Sequence, residues 1–345
     1  MRQAKASETG RTGAAPRGDA ASALAGNTPV DAVVIGRNEG ARLLACLASL
    51  QGQVRRIIYI DSGSTDGSVE AAARAGAEVV ALDMDLPFTA ARARNAGLAR
   101  LQGDGWVQMI DGDCSLDPGW IGAATAFAAG HPQAVVICGR RRERFAQASV
   151  YNRLCDREWN TPIGQATACG GDALIRLSAL RAVGGYDASL IAGEEPDLCL
   201  RLARKGGEIW RINAEMTLHD AAMTRFGQWW NRTRRAGHAF AEGAARHGAG
   251  PERHWVAETR RALIWGAGLP LAALSGAALH PAALALLLLW PAQMARLGWR
   301  WRAEGRAGWE AALFTVLGKI PEAQGVIGYW LGRMRRRQAG LIEYK

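Results

Sequence analysis

The chain has 345 residues, 49% of them hydrophobic, and a formal net charge of +10. That length allows one large domain or two modest ones with a sizeable core, and that charge favours anionic partners: nucleic acid, an anionic membrane face or phosphorylated substrates. The six cysteines (Cys46, Cys114, Cys138, Cys155, Cys169 and Cys199) form no Cys-x-x-Cys pair, which argues against a zinc site or a disulfide framework and for a reducing, cytosolic location.

Residues 1–28 are rich in Ala, Gly, Ser, Thr and Arg and lack the apolar core of a secretory signal. They read as a disordered, mildly basic arm. Val30 to Ile35 is predicted as a strand closed by Gly36-Arg37-Asn38-Glu39-Gly40, and Ala41 to Leu50 as a helix with Leu43, Leu44, Leu47 and Leu50 on one side. Arg56 to Ile60 is a second strand running into the polar loop 61–68, where Asp66 or Ser68 would cap a helix over Val69 to Ala75. A third strand follows at Glu78 to Leu82, and Phe88 to Leu101 is a helix carrying Arg92, Arg94 and Asn95. Trp106 to Asp111 is an apolar fourth strand that fits a buried parallel sheet. Asp117-Pro118 opens a helix to about Ala129, and Ala134 to Cys138 is the fifth strand.

Five alternations of strand and helix predict an α/β fold with a mostly parallel central sheet. Ligands bind beyond the carboxyl ends of such strands, so Asn38, Asp61, Asp66, Arg94 and Asp111 are expected along one crevice. Asp111-Gly112-Asp113 sets two carboxylates one residue apart at a strand end. That suits Mg²⁺, which binds one or two carboxylates and completes its shell with substrate phosphates. No Gly-x-Gly-x-x-Gly follows the first strand and no Gly-x-x-x-x-Gly-Lys occurs, which argues against dinucleotide oxidoreductases and P-loop hydrolases.

Four motifs occur in order: Asn38-Glu39, Asp61-Ser62-Gly63-Ser64-Thr65-Asp66-Gly67, Ala93-Arg94-Asn95-Ala96-Gly97 and Asp111-Gly112-Asp113. In this the chain resembles a family-2 glycosyltransferase with the GT-A type nucleotide-sugar fold, over about residues 30–220. The resemblance implies that Asn38, Glu39, Asp61, Arg94 and Asp111 contact the nucleotide sugar, with Asp61 near base or ribose and Arg94 near base or diphosphate. It also implies that Asp111 and Asp113 hold a divalent cation, Mg²⁺ or Mn²⁺. Thr167 to Arg176 resembles a glycine-bearing strand below the acceptor pocket, where Gly170 and Gly171 let backbone approach a ligand.

Gly193-Glu194-Glu195-Pro196-Asp197-Leu198 stands where the family shows Glu-Asp-x-Asp-Leu. Pro196 suits a first helical turn, so both glutamates are expected at a helix N-terminus. Glu195 aligns with the usual general base and Glu194 is the alternative. Asp197 would brace the pocket or its helix. Ile209–Ile212 and Met216–Leu218 are predicted as final strands, and His219 after them joins the metal site or the core. Arg140-Arg141-Arg142-Glu143-Arg144 reads as a solvated basic face, with contact to an acidic acceptor or lipid phosphates as the alternative. Gln228-Trp229-Trp230-Asn231-Arg232 lacks the Arg-Trp order of processive members, so processive synthesis is not expected.

Arg225 to His247 is a basic helix that opens a connector over residues 225–261. Ala262 to Ala295 then contains no Asp, Glu, Lys or Arg. As one straight helix it would run about 50 Å, longer than a hydrocarbon core of about 30 Å. Leu279-His280-Pro281 breaks it, which predicts an apolar hairpin with arginines at both ends, either re-entrant or shallow at a cytoplasmic membrane face or forming two short spans. A buried helical pair is the soluble alternative. Trp309 to Trp330, with a basic tail at Arg333, Arg335, Arg336 and Arg337, suits an interfacial helix.

The expected domains are therefore an arm (1–28), a glycosyltransferase domain (29–224), the connector (225–261) and a membrane-associated helical region (262–345). The expected reaction moves a sugar from a nucleotide-diphosphate sugar to a hydroxyl of a lipid-linked or saccharide acceptor. The expected setting is polysaccharide or glycolipid synthesis on the cytoplasmic face of the membrane, with no nucleic-acid partner. The rivals are a nucleotidyltransferase making nucleotide sugars and a non-catalytic nucleotide-binding scaffold.

Overall fold

The computed structural model describes residues 29–335, so the arm over 1–28 and the end of the basic tail at Arg336 and Arg337 lie outside the described residues. In chain order the elements begin with β1 (Val30–Gly36), α1 (Ala41–Leu50), β2 (Ile57–Asp61), α2 (Ser68–Arg74), β3 (Glu78–Ala81), α3 (Ala90–Leu98) and β4 (Trp106–Asp111). There follow β5 (Cys114–Leu116), α4 (Trp120–Gly130), β6 (Ala134–Glu143), α5 (Val150–Glu158), β7 (Gly164–Ala166), β8 (Ala173–Arg176), α6 (Leu177–Ala182), α7 (Glu194–Arg204) and β9 (Glu208–His219). The remaining helices are α8 (Phe226–His247), α9 (Val256–Leu263), α10 (Leu269–Ala277), α11 (Leu289–Arg300), α12 (Arg306–Leu317) and α13 (Lys319–Met334).

One sheet takes all nine strands, in the order β3-β2-β1-β4-β8-β6-β9-β5, with β7 also on β9. The first four are parallel. Helices cover both faces here, so β1, β2 and β4 are near-continuous apolar runs. Two polar side chains inside them are satisfied internally. Asp31 accepts from Arg55 at 2.6 and 2.9 Å, and Gln108 accepts from the Trp120 indole at 2.7 Å. Beyond β4 the sheet is mixed: β8 runs antiparallel to β4 and β6, and β6 pairs β9 in parallel.

Local chemistry sets the helix ends. Thr89 caps α3 by accepting from the Arg92 amide at 3.1 Å, which starts that helix later than Phe88. Asp66 accepts from the Ser68 amide at 3.0 Å in the turn before α2, whose N-cap is Gly67. In α1 the buried face is Leu43, Cys46, Leu47 and Leu50, while Leu44 points outward. Gly97 lets α3 lie directly on β1, since a Cβ there would overlap Val33. The two final strands are one bulged strand, β9.

The C-terminal helices pack on the α/β part of the chain through α8. Gly237 of α8 and Gly325 of α13 bring the two backbones into contact, where any Cβ would overlap the facing carbonyls. Arg153 of α5 pairs with Glu310 of α12 at 2.9 Å, and Arg157 pairs with Glu304 and stacks 4.4 Å over Trp301. Trp309 to Trp330 is two helices broken at Gly318, and α13 buries Pro321, Ala323, Gly325 and Val326. The apolar stretch turns at Leu279-His280 and doubles back, α10 against a 3-10 run over Pro281–Leu288. Among the described residues it is not a buried pair: α10 buries only Ala273, the 3-10 run buries nothing, and no further described layer covers it. Pro281–Arg300 is long and apolar enough to cross a membrane, and 6% of it is buried.

Candidate active site

The carboxyl ends of β1, β2 and β4 are in register: Gly36 lies opposite Asp61, and Ile35 opposite Asp111. The loops leaving them therefore share one edge. Asp61 is buried and gathers its own loop, accepting from the Gly63 and Ser64 amides at 2.9 Å each and from the Tyr59 hydroxyl at 2.9 Å. Asn38, at φ +55°, clips the first loop to the second by accepting from the Thr65 amide at 2.7 Å. Glu39 pairs with Arg42 at 2.7 Å.

A cavity of about 560 Å³ opens beside this edge. Asn38, Asp111, Asp113, Gly171, Glu195 and His219 all line it, so the acids of β4 and α7 face one space. Arg94 holds that wall together from behind. It is buried, donates to Asp111 at 2.9 Å and Glu194 at 2.8 Å, and lies 3.3 Å from Glu195. A charge this deep needs such partners. Glu194 is thereby drawn back into the wall, while Glu195 stays on the cavity. Burial, and then the neighbouring Glu194 charge, push the Glu195 carboxyl up to about 7. Asp197 does not reach the cavity. It accepts from Arg201 at 2.8 Å and lies 2.7 Å from the His247 imidazole, tying α7 to α8.

Gly171 sits where these groups meet. A Cβ there would stand 2.8 Å from Asp111 Oδ2, 3.0 Å from Arg94 Nη2 and 3.3 Å from Glu195 Oε1. Its neighbour Gly170, at φ +85°, turns the chain to bring it there. Gly171→Ala is expected to lower kcat/KM more than stability. The overpacking costs about 1–3 kcal/mol, while the displaced acids cost about 10²-fold in turnover. Parallel kinetics and thermal unfolding check this; equal losses in both would mean a purely structural glycine.

Asp113 and His219 form a second group. His219 Nε2 lies 3.3 Å from Asp113 Oδ2, and its Nδ1 lies 3.1 Å from Glu143. All three are buried. Burial, with Arg141 nearby, pushes the imidazole below its ordinary value, so it is neutral at pH 7. With Nδ1–H donating to Glu143, the Nε2 lone pair faces a carboxylate oxygen, an arrangement that a cation between them would satisfy. Cys114 is adjacent, its Sγ 3.6 Å from Asp113 Oδ1. Burial pushes its thiol well up, so it stays protonated and unsuited to a hard cation.

Arg141, Glu143 and Asp172 belong to the site and were not singled out from sequence. The block 140–144 is solvated only in part, at Arg142 and Arg144. Arg140 and Glu143 are buried, and Arg141 reaches Asp111 at 3.6 Å and Asp172 at 3.5 Å. The cause is that β6 runs on to Glu143 with bulges, so alternate side chains turn inward. Asp172 accepts from the Asp111 amide at 3.1 Å and the Thr217 hydroxyl at 2.8 Å. Arg37, Arg232 and Arg235 line the cavity too, the last two from α8. Nothing local marks the inward residues at the end of β6 or Asp172.

The family model for glycosyl transferase family 2 matches residues 31–180. Over those residues the chain is similar to the family-2 glycosyltransferases. The matched span holds β1 to β8 and every cavity acid of β4. The matched span and its surroundings are similar to the succinoglycan biosynthesis protein ExoA of Rhizobium meliloti, 28% identical over 189 residues, covering 50% of this chain and 57% of that one. They are similar also to the pre-mycofactocin glycosyltransferase of Mycobacterium tuberculosis, 27% identical over 230 residues, covering 63% and 48%. The match thus spans about half the length of these relatives. Among solved structures, the mannosyltransferase PcManGT of Pyrobaculum calidifontis, in complex with GDP-Man and Mn²⁺, superposes with a TM-score of 0.55 at 20% identity over 85% of this chain and 87% of that one. That likeness identifies the fold as GT-A type.

Proposed function

We propose that the chain transfers a sugar from a nucleotide-diphosphate sugar to an acceptor hydroxyl, by direct displacement with inversion at the anomeric carbon. The observation that carries this reading is the Arg94 clamp, which sets Asp111 and Glu195 on one wall of a single cavity. Glu195 takes the acceptor's proton as the hydroxyl oxygen attacks. It is the only one of the two glutamates on the cavity, and a carboxyl near 7 is matched to that task. Asp61, Asn38 and Glu39 hold the nucleoside at the β1–β2 edge. Arg37, Arg232 and Arg235 draw the diphosphate inward. Asp113 and His219 are the ligands offered to Mg²⁺ or Mn²⁺, with Glu143 fixing the imidazole and Asp111 facing the sugar-diphosphate. Bound there, the cation would neutralise the charge that develops on the departing nucleoside diphosphate. The Mn²⁺ and GDP-Man of the archaeal neighbour support the same chemistry here.

The acceptor in this reading is lipid-linked or a membrane-delivered saccharide, and the enzyme works at the cytoplasmic membrane face. Support comes from the uncovered apolar hairpin with arginines at both ends, and from likeness to a succinoglycan biosynthesis protein. Thermal unfolding with a panel of nucleotide sugars tests the reading. One donor should raise the midpoint in the presence of Mn²⁺, by mass action, and lose that effect with a chelator or in His219→Ala. If no donor shifts the wild type with metal present, the reading fails. Release of pyrophosphate from a nucleoside triphosphate would instead mark a nucleotidyltransferase.

A further inference from the structure

A second cavity, of about 260 Å³, lies at the root of the apolar hairpin, away from the donor site. Its walls are Trp265, Leu297, Trp301 and Val316. Its polar lining includes Arg261 and Lys319. Arg261 pairs with Glu258 at 2.6 Å and Lys319 with Glu322 at 2.6 Å. A guanidinium has five N–H donors and an ammonium three, so each keeps donors for a further acceptor. The Arg261 side chain is 60% exposed, which sets the charge at the mouth.

The local backbone is unusual here. Ile264–Gly268 forms a π-helical segment between α9 and α10. Such segments are rare and concentrate at functional sites. This one carries Trp265, and its carbonyl is taken by the Trp290 indole from the other arm at 3.1 Å. Gly266 seats the segment directly on the Lys319 backbone. The result is an apolar recess with two cations at its opening, at the level where the uncovered arms leave the protein. Leu271, Leu274 and Leu288 beyond it are all more than 60% exposed.

We infer that this recess binds one anionic membrane lipid, its phosphate between Arg261 and Lys319 and the start of an acyl or prenyl chain against Trp265, Leu297, Trp301 and Val316. Apolar walls beside two cations match a lipid phosphate and the start of its chain. This rests on the membrane-apposed hairpin proposed above.

The test is co-sedimentation of the full chain with vesicles of phosphatidylcholine alone, or of phosphatidylcholine with a minor fraction of phosphatidate, without any sugar donor. Phosphatidate should tighten binding at least about tenfold. Excess inorganic phosphate at fixed ionic strength should not compete. The paired change Arg261→Gln and Lys319→Gln should remove the gain, as should Val316→Trp, which fills the recess and leaves the charges in place. The paired change Arg300→Gln and Arg302→Gln, on the neighbouring exposed surface, should keep most of it. If both paired changes lose equally, the attraction is general surface charge and the site is overturned. An unchanged Val316→Trp overturns it as well. Failure to bind even neutral vesicles sinks the hairpin reading together with this one, whereas lipid binding without sugar transfer leaves this site standing.

Discussion

Glu195→Gln is expected to lower turnover by about 10²–10⁴-fold while the donor KM stays within a few-fold, because a base acts on the bound complex and adds little to donor affinity. Wild-type kcat/KM should rise with pH along a limb centred at about 7, the value to which burial and Glu194 push the carboxyl. That limb should vanish in the residual activity of the Gln variant. Stability should move the other way. The folded-state value lies above the unfolded one, so Glu195's contribution is present at low pH and lost as pH rises through about 7. The wild-type unfolding midpoint should therefore fall between about pH 4.5 and pH 7, and the Gln variant's should fall less. Full turnover in the Gln variant would move the base elsewhere, with Glu194 next in line.

Arg94→Met is expected to cost about 3–5 kcal/mol of stability, the usual result of removing one partner from a buried ion cluster. Asp111, Glu194 and Glu195 would be left facing one another with their shared cation gone. For a domain of this size that is a fall on the order of 10 °C in the unfolding midpoint. The deficit should shrink as pH is lowered and the acids take up protons. Activity should fall even well below the midpoint, since Asp111 and Glu195 lose their common anchor. Arg94→Lys should recover only part of both, because an ammonium cannot present the fork that reaches two carboxylates at once. A thermal midpoint equal to wild type would show that the clamp holds nothing together.

These expectations depend on contacts that sequence reveals unevenly. The strands β1, β2 and β4 are legible because both of their faces are buried and they become continuous apolar runs. The strands β5 and β7 are three residues each, too short to carry a period. The end of β6 was hidden by its charge: Arg140 to Glu143 looks solvated until Asp156, Asp172, Glu215 and His219 are seen to receive it. Position in the motif favoured Glu195 over Glu194 by alignment alone. The fold adds a physical difference between them, because Arg94 reaches from 100 residues away to engage Glu194 at 2.8 Å. The Glu143–His219 contact spans 76 positions and has no local signature. The apolar hairpin was legible as composition, while its π-helical start, packed on α13, and the split of the last amphipathic stretch at Gly318, packed on α8, are products of tertiary contact.

The glycine-to-glycine crossing of α8 and α13 has a practical consequence. Arg232 and Arg235 project from a helix whose opposite side is fused, backbone to backbone, to the last helix of the described chain. Trimming the C-terminus to obtain a more tractable protein would strip that seam bare and free the helix to drift. Donor affinity would then suffer with no donor-contacting residue removed. A weak truncated enzyme would report a lost buttress rather than a need for lipid.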